Sequence, residues 1–104
     1  MKLTLTLLLL TYTFSVLATT FTVTSNADIG PGSLRDAINQ AAANSATPNL
    51  IVFNIADQSR AGRTITIAST LPNLPANLTI DGTTQPGTPF GIGLPLTTPT
   101  VLLV

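Results

Sequence analysis

The chain contains no cysteine, histidine, tryptophan or glutamate, and its only lysine is Lys2. Each absence removes a class of chemistry. Without cysteine there is no disulfide framework, no thiol nucleophile and no lipoprotein anchor. Without histidine as well, zinc sites built on nitrogen and sulfur ligands are excluded. Charge is scarce at 8% of residues. Beyond residue 18 it consists of three arginines, Arg35, Arg60 and Arg63, and four aspartates, Asp28, Asp36, Asp57 and Asp81, a net charge of −1. That lacks the basic patch needed to neutralise phosphates, so nucleic acid is not an expected partner. A Walker A motif is impossible with the only lysine at position 2. The Gly30-Pro31-Gly32 turn is no dinucleotide fingerprint, because its third glycine position is Arg35.

The residues present divide into two parts. Met1-Lys2 followed by the apolar run Leu3 to Leu17, with small residues around Val16-Leu17-Ala18, has the pattern of a secretory signal peptide cleaved after Ala18. The run is shorter than the ~20 residues a bilayer-spanning helix needs. The expected location is therefore secreted or cell-surface. Residues 19–104 are enough for one small domain. With no disulfide to staple it, that domain must be held by burial, which is marginal at this length.

Within that part, Phe21 to Ser25 alternates apolar and polar residues, as a half-buried strand does. Asn26 to Gly32 reads as a loop. Leu34, Ala37, Ile38, Ala41 and Ala42 recur at helical spacing, giving one apolar stripe on about three turns. Ser33 stands at the N-cap position and Asp36 three residues on, the spacing of a capping box. Asn44 ends the pattern and Pro48 prevents its resumption. Further strands are predicted at Leu50–Ile55, Thr64–Ala68, Leu78–Gly82 and Thr100–Val104. Their inward residues are Ile51, Phe53, Ile55, Ile65, Ile67, Leu78 and Ile80. Thr83 to Pro99, with four prolines, reads as a long loop. Ile51, Ile65 and Ile80 fall 14 and 15 residues apart in equivalent places. Regularly spaced short strands without hairpin signals favour the coils of a solenoid over a sandwich. Ending inside an apolar strand suggests the beginning of something longer.

Arg35 is the residue that local helix rules do not explain, since a cation in the first turn opposes the macrodipole. A lock onto a carboxylate, with Asp28 and Asp81 as the available partners, or onto loop carbonyls accounts for it. Asp81-Gly82 reads as a turn after a strand. A calcium role for Asp81 lacks the acidic neighbours such a site requires. Four scattered aspartates give no paired carboxylates for glycoside chemistry. The sequon Asn77-Leu78-Thr79 reads as a chance occurrence. No catalytic residue, cofactor or metal is expected.

The stretches FTVTSNADIGPGSLRDAINQAAAN, NLIVFNI and TITIASTLPNLPANLTIDGTTQPG together resemble the N-terminal region of CSLREA-type secreted bacterial proteins. The resemblance runs from Phe21 to about Gly87, and chlamydial polymorphic outer membrane proteins look similar in organisation. Gly32 departs from it, standing where many members have cysteine. The resemblance implies a mainly β fold: a cap helix and the first coils of a right-handed parallel β-helix of the pectin-lyase-like kind. The helix would lie across the open apolar end of the coils, its stripe seated on Phe53, Ile65 and Ile80. Leu34 and Ile38 would contribute about 1.5–3 kcal/mol each by burial. Ser33, Leu34, Arg35, Asp36, Ile38, Asp81 and Gly82 become structural rather than catalytic residues. The implied role is to cap and nucleate a secreted or surface β-helix, adhesin-like or in contact with surface glycans or a neighbouring cell. The alternative is the N-terminal part of a polysaccharide lyase or hydrolase with its active site beyond residue 104.

Overall fold

The computed structural model describes residues 17–88 and 101–104. Most of the signal-peptide pattern, and the loop prolines Pro89, Pro95 and Pro99, lie outside the described residues. In chain order the elements are strand β1 (Thr19–Val23), helix α1 (Leu34–Ala43), strands β2 (Asn49–Phe53), β3 (Thr64–Ile65) and β4 (Leu78–Ile80), a 3-10 turn (Gly82–Thr84) and strand β5 (Leu102–Leu103).

All strand pairs are parallel. β1, β2 and β4 form one sheet in that order, and β3 pairs with β5 in a second. From β2 onward the chain alternates between the two sheets. Ile51 stands beside Ile80, and Ile65 beside Leu103. The 14- and 15-residue spacing in the sequence is therefore the step from one sheet to the other, and strands two steps apart are the ones that pair.

Helix α1 occupies the crossover from β1 to β2, and its length follows from local chemistry. Ser33 Oγ accepts the Asp36 N–H at 3.1 Å, as an N-cap does. The reciprocal half of the capping box does not form. The Ser33 N–H goes to the Gly30 carbonyl, and the Asp36 carboxylate instead accepts from Gln40 Nε2 at 2.8 Å. Aspartate is one methylene shorter than the glutamate that usually reaches back. The apolar stripe of the helix, Leu34, Ala37, Ile38 and Ala41, is buried. All but Ala41 join Val23, Ile51, Phe53 and Ile65 in one cluster. The two alanines keep the helix close to the sheet.

Strand ends differ from the sequence expectation for identifiable reasons. β1 begins at Thr19, whose N–H bonds the Pro48 carbonyl. It stops at Val23 because the N–H groups of Thr24 and Ser25 turn to the Gly32 carbonyl. β4 stops at Ile80, and Gly82 belongs to the 3-10 turn rather than to the strand. Ile55 is buried, whereas Ile67 and Leu78 are half-buried. Ile80 departs furthest, remaining 39% exposed. It sits on β4, the last strand of its sheet, and the core beside it is not filled.

Candidate functional site

A cavity of ≈ 290 Å³ lies between the two sheets. It is lined by Leu34 and Ile38 of α1, by Phe53, Ile65, Leu71 and Leu74, and by Ile80, Gly82, Val101 and Leu103. α1 borders it on the β1 and β2 side. On the other side stand Leu74, Ile80 and Leu103, exposed by 60%, 39% and 52%. A wall of this composition offers neither acid, base nor nucleophile. What it can do is take up apolar side chains.

The start of α1 is tied down by Arg35. Its Nη2 lies 2.8 Å from Asp28 Oδ1 and 2.7 Å from the Ser69 carbonyl oxygen. Its Nη1 donates to the Thr70 carbonyl at 2.7 Å, and its Nε to the Asp28 carbonyl at 3.2 Å. One guanidinium thus joins the loop before the helix, the helix itself and the segment after β3. Both members of the ion pair are largely shielded. Asp81, the other partner considered from sequence, is not brought to Arg35. Its carboxylate caps the 3-10 turn, accepting the Thr83 N–H at 3.0 Å and the Thr83 hydroxyl. The Thr83 hydroxyl first, and its N–H second, hold the Asp81 pKa below the ordinary carboxylate value. The turn therefore keeps its cap at neutral pH and loses it as pH falls through that lowered pKa.

Two side-chain amides carry work that sequence patterning did not reveal. Asn49 is 1% exposed and closes the C-terminal end of α1: its Nδ2 donates to the carbonyls of Ala41 and Asn44, and its Oδ1 accepts from Asn44 Nδ2. Gln85 is 2% exposed and prolongs the three-stranded sheet without a strand. Its Oε1 accepts the Ile55 N–H at 2.7 Å, and its Nε2 donates to the Ile55 carbonyl at 2.9 Å. Just before it, Thr84 Oγ1 accepts the Phe53 N–H at 2.8 Å. The only signal in the sequence is a short run of hydrogen-bonding side chains, Thr83-Thr84-Gln85, after Asp81-Gly82.

Gly32 has φ +78°, and a Cβ there would stand 2.4 Å from Thr24 Oγ1. Gly32→Cys is therefore expected to destabilise by about 1–2 kcal/mol. Thermal unfolding of the monomeric variant described below measures it. An unchanged melting temperature would mean that the loop re-forms without a positive φ.

Among the described residues no group of three or more aspartates comes together to hold a metal ion, and no helix is long and apolar enough to cross a membrane. No protein-family model, curated protein or solved structure matches the chain.

Proposed function

We propose that residues 19–104 are a non-catalytic capping and nucleating segment, the cap helix and first coils of a right-handed parallel β-helix on an exported protein. The observation that carries this reading is an asymmetry. The core between the sheets is covered by α1 on one side, and on the other it presents an apolar mouth flanked by the outer strands β4 and β5. A strand added beside β4 and another beside β5 would cover Leu74, Ile80 and Leu103 and repeat the alternation already present. Parallel crossovers are right-handed in about 98% of cases, which supports the handedness. The apolar lining and the absence of clustered acids among the described residues favour a structural role over a lyase or hydrolase site there. On the exported protein the coils would present a threonine- and asparagine-rich outer surface of the kind that suits contact with surface glycans or a neighbouring cell.

The test is the behaviour of residues 19–104 in isolation. With its mouth uncovered the segment is expected to associate or remain partly ordered, to scatter light as more than a monomer and to bind an apolar dye. The variant Leu74→Ser, Ile80→Thr, Leu103→Thr removes the apolar rim and is expected to be monomeric. A wild-type segment that is monomeric, binds no dye and melts in one sharp transition would overturn the reading.

A further inference from the structure

β1 begins with Thr19, paired with Asn49, one residue after the small-residue pattern that a signal peptidase reads. Leu17 is 84% exposed and Ala18 is exposed too. Strand β1 thus starts at the Ala18–Thr19 peptide bond, its first two residues still exposed. Thr19 is held by its backbone N–H and by its hydroxyl. Its backbone nitrogen donates to the Pro48 carbonyl at 2.9 Å, and its Oγ1 accepts from Asn44 Nδ2 at 3.0 Å. Pro48 has no N–H, so the carbonyl given to Thr19 is its only backbone hydrogen-bonding group.

We propose that Ala18–Thr19 is the processing site and that the ammonium freed there is a built part of the fold, docked on the Pro48 carbonyl. Water adds across the bond: its oxygen goes to the Ala18 carbonyl carbon, leaving a carboxylate, and protons go to the Thr19 nitrogen, leaving an ammonium. That nitrogen keeps its contact with Pro48, now charge-assisted and stronger than the amide contact it replaces. Processing one residue earlier would leave Ala18 as a free tail and Thr19 as an ordinary amide. Processing one residue later would remove the Thr19 contacts with Pro48 and Asn44.

The proposal rests on the export reading and is independent of the capping role. Its test begins with the full 104-residue chain produced in a bacterial host with a general secretion pathway. N-terminal sequencing and intact mass of the exported product are expected to give Thr19 as the first residue. Another first residue overturns the processing site, and a chain retained uncleaved in the cytoplasm overturns the export reading as well. The docking is read separately, on residues 19–104 and 18–104 prepared with the rim substitutions Leu74→Ser, Ile80→Thr and Leu103→Thr. An amine-acylating reagent is expected to modify the Thr19 amine about three- to tenfold more slowly than the Ala18 amine, because the docked ammonium gives up its proton less readily. Equal rates in the folded chains overturn the docking.

Discussion

Gln85→Ala is expected to remove about 3–4 kcal/mol of stability, out of proportion to a polar residue outside every helix and strand. The reason is what it leaves behind. Ile55 is buried, and both of its backbone polar groups bond the Gln85 amide. Deleting that amide strands a donor and an acceptor away from water, at about 1–3 kcal/mol each. Urea unfolding of the monomeric Leu74, Ile80, Leu103 variant measures the loss. Gln85→Glu separates hydrogen bonding from packing. Its carboxylate can still accept the Ile55 N–H but faces the carbonyls of Ile55 and Pro86 with no proton to give. At neutral pH it is expected to be no better than alanine. As pH falls and the carboxyl protonates, it should recover part of the deficit, because the protonated acid donates again. A Gln85→Glu chain that is insensitive to pH, or a Gln85→Ala chain within 1 kcal/mol of its parent, would show that the amide does not stand in for a strand.

Arg35→Ala is expected to cost about 2–3 kcal/mol, which for a domain of this size lowers the melting temperature by roughly 8–24 °C. The guanidinium's four bonds reach Asp28, Ser69 and Thr70, so its loss frees the helix start from two separate segments. Lysine is the sharper probe. An ammonium offers a point charge where these partners call for a planar fork, so Arg35→Lys keeps the charge and loses most of the geometry. It is expected to cost about 1–2 kcal/mol. A lysine variant melting within a degree of its parent would mean that charge alone holds the helix start. Removing the carboxylate in Asp28→Asn should be milder than Arg35→Ala, because three of the four bonds go to carbonyl oxygens that the substitution leaves in place.

Much of the packing was legible because it repeats. Helix α1 is announced by Ser33, by the stripe Leu34, Ala37, Ile38 and Ala41, and by Asn44 with Pro48 beyond. Ile65 is marked as buried by alternation, and Ile51, Phe53 and Ile55 by a nearly continuous apolar run in which Asn54 sets the outward face. The pairing of strands was not legible. Ile65 and Ile80 occupy equivalent places along the chain, yet they lie in different sheets, and no local pattern says which strands meet. Asn49 and Gln85 escaped for a different reason. Each replaces a missing backbone partner with a side-chain amide, and a single amide in a loop carries no period. Ile80 was expected to be buried and is not: it lines the cavity between the sheets but stays 39% exposed on the outer strand β4. The hypothesis about Arg35 named two carboxylates, and the choice of Asp28 over Asp81 depends on the path of the loop before the helix.

Several of the hydrogen bonds that tie distant segments together span 30 to 35 residues. Arg35 reaches partners 34 and 35 residues away, Phe53 meets Thr84 at 31, and Ile55 meets Gln85 at 30. Contacts of that range form slowly, because a long loop must close before any of them is gained. β1 and β2 pair directly, joined in sequence by the α1 crossover, and β4 pairs with β2 in turn. The chain is therefore expected to acquire its structure from its N-terminal side, each strand finding its register on the one laid down before it. Were the chain exported as proposed, synthesis, passage and folding would all run in the same direction.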